Sequence, residues 1–201
     1  MIYVDLHVHT TYSLDSSIQP KVLVDRLHSD LRVKAAAVTD HNTVKGYYKV
    51  RELAHVYPDI LVIPGVEVGT VNGDIVLLGV VEVPPQPWTV ESVIDFARER
   101  GGLVVAAHPY REFGLGDLVG KYPVDAVEVL NGSCSRQINA LAEKLAKTLG
   151  LPGVAGSDAH RVDELLTVYN EVQASADLDD VLKAIKGGRL RVVRSETSIH
   201  F

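Results

Sequence analysis

Short, continuously apolar runs alternate with helix-patterned segments along nearly all of this 201-residue chain. That alternation is the strongest constraint on what it can fold into. The expected strands are Ile2–Leu6, Ala35–Thr39, Leu61–Glu67, Ile75–Val81, Leu103–Ala107, Ala126–Leu130, Gly153–Gly156, Thr167–Val172 and Leu190–Val193. Between them, apolar spacing predicts helices over about Pro20–Leu31, Val44–Val56, Val90–Arg100, Ser135–Leu149 and Leu178–Lys186. Strands and helices in this order make a parallel α/β fold, and runs without alternation belong to a sheet covered on both faces. Pro84, Pro85 and Pro87 read as a rigid extended connection, Thr89 as the N-cap of the next helix, and Gly101-Gly102 as its end. No repeat, low-complexity tract or long linker interrupts the pattern, so one domain over residues 1–201 is expected.

Composition narrows the class. The chain is 46% hydrophobic and 23% charged, as in a globular protein, and holds no apolar run of membrane-spanning length. The N-terminus lacks a basic segment followed by an apolar stretch and a cleavage site, and the single Cys134 cannot form an intrachain disulfide. A cytoplasmic location is the expectation. The net charge of −6 argues against a partner of long nucleic acid, whose phosphates call for a basic surface. It leaves room for a small phosphorylated substrate, because bound cations invert the local field. Nothing in the sequence sets an oligomeric state.

The chemistry lies where the strands end. His7 and His9 sit two residues apart, a spacing that puts both imidazoles on one face of an extended strand. Asp40 and His41 follow the second expected strand, Glu67 ends the third, and His108 follows Leu103–Ala107. Glu128 lies within the next, and Asp158 and His160 follow Gly153–Gly156 with the same two-residue spacing. In parallel α/β barrels the C-terminal strand ends share one rim, so these distant positions become neighbours. Imidazole and carboxylate together suit Zn, Mn or Fe, and a carboxylate such as Glu67 can bridge two cations. Two or three close cations can generate hydroxide at neutral pH and clamp a phosphoryl group. Arg111, three residues beyond His108, suits a substrate phosphate, and Asp40 suits the orientation of a ligand or the handling of a proton.

Six segments resemble the PHP (polymerase and histidinol phosphatase) family of metal-dependent phosphoesterases. They are Asp5-Leu6-His7-Val8-His9-Thr10-Thr11-Tyr12-Ser13, Thr39-Asp40-His41-Asn42-Thr43, Pro64-Gly65-Val66-Glu67, Ala107-His108-Pro109-Tyr110-Arg111, Glu128-Val129-Leu130-Asn131-Gly132 and Gly156-Ser157-Asp158-Ala159-His160. The resemblance implies a distorted (β/α)7, TIM-like barrel with two or three divalent metal ions at the C-terminal ends of the strands. It implies that His7, His9, Glu67 and Asp158 hold one cation, and that Asp15, His41 and His160 hold a second. Glu67 and His108 would contribute to a third. One departure stands out: where the family commonly has a further histidine, this chain has Val76, which cannot coordinate. Asp74, on the same strand face by parity, is the available substitute.

The expected activity is hydrolysis of a small phosphate monoester or nucleotide by metal-activated hydroxide. Asp40 and Arg111 are the expected catalytic residues. The competing expectations are a nuclease acting on short oligonucleotides or DNA ends, and a non-catalytic subunit stabilised by metal. Asn131 and Asn139 are expected near the pocket mouth. Tyr12 and Tyr110 are candidates to flank a nucleobase, and Cys134 is a weak candidate nucleophile.

Overall fold

A computed structural model describes residues 1–195. The elements in chain order are β1 (Ile2–Val8), α1 (Pro20–Ser29), β2 (Val33–Val38), α2 (Lys45–Ala54), β3 (Leu61–Gly69), β4 (Asp74–Leu78) and α3 (Val90–Glu99). They continue as β5 (Leu103–Ala106), β6 (Ala126–Asn131), α4 (Arg136–Leu149), β7 (Gly153–Gly156), β8 (Val168–Val172), α5 (Leu178–Lys186) and β9 (Leu190–Arg194). Two 3₁₀ segments, Gly116–Lys121 and Val162–Glu164, were not expected from the sequence. Local chemistry sets the boundaries. Thr89 and Ser92 exchange hydrogen bonds as a capping box that starts α3. Gly101, at φ 69°, follows that helix, and Gly150 ends α4 in the left-handed conformation.

The sheet runs in the order β7-β6-β5-β4-β3-β2-β1-β8-β9 and curls into a nearly closed, TIM-like barrel. The expected all-parallel arrangement needs correction. β1, β2 and β3 are parallel, as are β5, β6 and β7, but β4 is antiparallel to both its neighbours. The cause is the four-residue connection between Gly69 and Asp74: a parallel return needs a crossover of about a dozen residues, so only a hairpin fits. β8 and β9 are antiparallel additions beside β1.

Closure is uneven along β1. Its first residues, Ile2–Val4, pair with β8. Its C-terminal end pairs instead with the residues after β7: Asp158 N–H donates to His7 O at 2.7 Å and His9 N–H to Ala159 O at 3.1 Å. β8 therefore wedges into the lower seam, and buried Asn170 fills the wedge. Its Oδ1 accepts from Ala155 N at 2.8 Å, while its Nδ2 donates to Ala155 O at 2.7 Å and Val4 O at 3.1 Å.

Two register shifts fall beside the polar end of the barrel. In β1, Asp5 pairs with Ala36 and Val8 with Val38, so three steps of one strand match two of the other. In β6, Glu128 pairs with Val154 and Leu130 with Ala155. Such bulges re-aim side chains. An apolar cluster that includes Val4, Leu6, Ile63, Val76 and Val105 packs below, and α5 adds Val181, Ala184 and Ile185 to it. α1 and α2 pack on β1 and β2 through Leu23, Leu27 and Val50, while α3 covers β4 and β5 through Val93, Ile94 and Ala97. Among the described residues, no helix is long and apolar enough to cross a membrane.

Replacing Asn170 with Ala strands three buried backbone groups, so a loss of roughly 2–4 kcal/mol is expected in urea unfolding. A change below about 0.5 kcal/mol would show that the seam does not need this side chain.

Candidate metal centre

All eight expected ligands gather at the C-terminal end of the barrel. His7 Nε2 lies 3.1 Å from His9 Nε2, 3.3 Å from Glu67 Oε2 and 3.5 Å from Asp158 Oδ1. His9 Nε2 lies 3.2 Å from the same Glu67 oxygen and 3.3 Å from Asp158 Oδ1. All four side chains are buried. A tetrahedral cation with ligand bonds of about 2.0 Å has edges of about 3.3 Å between donors. The five edges that involve His7 or His9, at 3.1–3.5 Å, sit at that spacing.

Proton positions sharpen the fit. Glu128 Oε1 lies 3.0 Å from His7 Nδ1 and can only accept, so His7 carries its proton on Nδ1. Ser13 Oγ donates to Asp40 Oδ1 at 2.9 Å and accepts from His41 N at 2.9 Å, so it also accepts from His9 Nδ1 at 3.1 Å. His160 Nδ1 donates to Asp158 O at 2.9 Å. In the neutral form of each ring, Nε2 is thereby left with a lone pair. His7 and His9 point these lone pairs at each other across 3.1 Å, between two carboxylates, an arrangement that calls for a cation.

The titration shifts report the same demand. Burial opposes charging His7, but Glu128, Asp158 and Glu67 outweigh it and raise its pKa well above the ordinary value. Burial likewise opposes His9, yet Asp158 and Glu67 push it up to about 9. Glu67 is held well below the usual carboxylate range: burial would raise it, and His7, His108 and His9 overcome that.

A second group faces outward. Asp15 Oδ2 lies 3.4 Å from His41 Nε2 and 3.3 Å from His160 Nε2. The His9 ring packs between the rings of His41 and His160, 4.4 and 4.2 Å from them. Burial lowers the His41 pKa, which favours the neutral imidazole that ligates. A third group joins Glu67, Asp74 and His108, with His108 Nε2 2.9 Å from Glu67 Oε1. Val76 pairs directly across from Glu67 and belongs to the apolar cluster, so it offers nothing polar. Asp74, near the rim, is pushed up to about 6, first by burial and then by the charge of Glu67.

Backbone strain marks two of the candidate ligands. His108 has φ 24° and Asp158 has φ 52°. Conformations of this kind cost roughly 1–3 kcal/mol each and persist where surroundings over-determine them. Here Glu128 Oε2 accepts from His108 N at 2.8 Å, and His7 O accepts from Asp158 N at 2.7 Å.

Asp15, His41, Glu67, Asp74, His108 and His160 line a cleft of about 340 Å³, together with Arg111, Phe113 and Asp158. Arg111 Nη1 donates to Asp158 Oδ2. Asp40 is not on the cleft wall. It is fully buried behind it, accepting from Thr10 N at 2.6 Å, Thr10 Oγ1 at 2.7 Å and Ser13 Oγ. Asn131 Nδ2 donates to Glu128 Oε2 at 3.0 Å and Asp158 Oδ2 at 3.2 Å, and Asn139 braces the Asn131 backbone from both sides. Tyr12 and Tyr110 are absent from the cleft wall, and Tyr110 OH donates to Asp117. Burial and then Glu128 push the Cys134 thiol up to about 11, away from the nucleophilic form. Thr10 and Ser13 lie in the first of the segments that resemble the family, but sequence alone assigned neither of them a role.

The geometry defines a class: a barrel carrying a His/carboxylate cluster able to hold cations at one end. The sequence profile of the PHP domain matches residues 5–112, and that of a PHP-associated segment matches residues 137–190. The chain belongs to the PHP domain family. It is 32% identical over 139 residues to an uncharacterised protein of Methanocaldococcus jannaschii, covering 63% of this chain and 80% of that one. A two-domain protein of Bacteroides vulgatus, described as containing a predicted PHP-like metal-dependent phosphoesterase, matches with a TM-score of 0.82 at 19% identity. The match covers 97% of this chain but 65% of the Bacteroides chain. PsfC of Pseudomonas syringae matches with a TM-score of 0.74 at 22% identity, covering 98% of this chain and 93% of that one.

Partners that orient a metal-binding imidazole are worth about ten- to a hundredfold in affinity. Replacing Ser13 with Ala, which keeps every donor atom, is expected to weaken Zn binding by that factor in a chelator competition. Unchanged affinity would remove Ser13 from the ligand support.

Proposed function

We propose that this chain is a metal-dependent phosphoesterase acting on a small phosphate monoester or nucleotide. The observation that carries the reading is the buried tetrad of His7, His9, Glu67 and Asp158, its lone pairs converging at the floor of a cleft whose wall holds a guanidinium. His7, His9, Glu67 and Asp158 would hold one cation. Asp15, His41 and His160 would hold a second, with Glu67 shared, and Glu67, Asp74 and His108 form a carboxylate-rich third position. Bound divalent cations of the Zn, Mn or Fe class supply a nucleophile at neutral pH and neutralise charge on the phosphoryl oxygens.

The chain's own residues do the rest. Arg111 uses one N–H on Asp158 and has further donors for phosphate oxygens. Glu128 holds the His7 ring with Nε2 turned to the floor. Asp40 acts as a positioning residue: it fixes the Ser13 hydroxyl, which fixes the His9 tautomer. The charges on the cleft wall favour a small ester over a long polyanion, since Arg111 stands among Asp15, Glu67, Asp74, Glu112 and Asp158. The continuous sheet, with β8 and β9 built onto β1, supports a single domain.

His7→Ala is expected to lose bound metal and phosphate release from p-nitrophenyl phosphate together, by elemental analysis and assay; a fully active, metal-free variant would overturn the reading. Arg111→Ala is expected to keep its metal while KM rises about ten- to a hundredfold, the worth of a charge-assisted hydrogen bond. Unchanged KM and kcat would take Arg111 out of substrate binding.

A further inference from the structure

Phe113 sits where neither folding nor packing asks for a phenylalanine. Its φ is 64°, and it is 71% exposed on the cleft wall. It occupies the third position of the turn Arg111–Gly114, closed by Gly114 N–H donating to Arg111 O at 2.9 Å. A positive φ at that position is the type II pattern, which glycine or asparagine satisfies without strain. The turn has little freedom to relax. Phe113 O accepts from Asp74 N at 2.7 Å, and a Cβ on Gly114 would come within 2.4 Å of Pro109 O. A bulky aromatic in the left-handed region, with little buried surface in return, is an outlier that points towards a ligand.

The placement says which part of a ligand. Phe113 lies two residues beyond Arg111, in the loop after β5; both line the cleft, and Phe113 is the more exposed of the two. Leu14, fully exposed beside Asp15, lies in the loop after β1, across the barrel from β5. A phosphoryl group held between the cation-binding floor and Arg111 would direct its leaving group past Phe113. The two tyrosines that the sequence suggested for this task are off the cleft wall.

We propose that Phe113 is a platform on which a planar leaving group stacks, so that this site prefers aryl or nucleoside phosphate esters to aliphatic ones. This rests on the phosphoesterase reading. Stacking a planar group on an aromatic side chain changes affinity about tenfold or more on truncation to alanine.

The test is calorimetric binding of phenylphosphonate and methylphosphonate, neither of which is hydrolysed, to the Mn-loaded full chain. The wild-type protein is expected to bind phenylphosphonate about tenfold tighter. Phe113→Ala should erase that ratio and leave methylphosphonate binding unchanged, while Phe113→Trp should keep the ratio. Phe113→Gly, which removes the backbone strain, should melt at the wild-type temperature or above. Equal binding of the two ligands by the wild type would overturn the platform and leave the phosphoesterase reading intact. No binding of either would overturn both. Equal weakening of both ligands in Phe113→Ala, or a fall in melting temperature of several degrees in Phe113→Gly, would show that the side chain merely shapes the loop.

Discussion

The carboxylate of Glu67 has no exposed surface, yet four imidazoles reach it within 3.3 Å. An ionised carboxylate taken out of water is strongly unfavourable unless positive charge or hydrogen bonds replace the lost solvent. His7, His9, His41 and His108 come from three different loops and strands to meet it, and Asp158 adds a second negative charge beside them. Three of these imidazoles have their protons or neighbours fixed by Glu128, Ser13 and Glu67 itself. The cluster therefore has a charge requirement that the side chains meet only by staying protonated, or by sharing cations.

The barrel is what makes that convergence possible. Parallel strands deliver one or two donors each to a common rim. The bulges in β1 and β6 lie at His7 and Glu128, which bond to each other, so the departures from regular pairing occur where the ligand support is built. Closing the barrel uses the backbone of candidate ligands directly: His7 O and Asp158 N form one of the bonds that join β1 to the end of β7. β8 cannot pair along the whole of β1 for that reason, and Asn170 makes good the gap below. The same His7–Asp158 bond holds the strain at Asp158, and the Glu128 carboxylate holds that at His108. Fold and site are thus one hydrogen-bonded structure at this end of the molecule.

Most of this was legible from residue order. Strand ends carrying His7, His9, His41, Glu67, His108, Asp158 and His160 announced the rim, because apolar runs and ionisable residues change over at a fixed place in each βα unit. Asp15 was a different case: a turn aspartate carries no signal of its own, and only the family resemblance drew it in. The reversal of β4 could have been read from the brevity of Thr70–Gly73. The bulges could not, since a register shift depends on pairing between strands far apart in sequence. The Ser13 relay was hidden because a serine four residues past a histidine is unremarkable until Asp40 is seen to claim its proton. Phe113 was hidden because its meaning lies in its backbone angle.

The most direct test of the central claim is an anomalous difference map from crystals of the full chain grown with Mn or Zn. A peak within about 2.0–2.2 Å of His7 Nε2, His9 Nε2, Glu67 Oε2 and Asp158 Oδ1 is the expected result. A map without density among those four atoms, at metal concentrations that saturate the protein in solution, would contradict it.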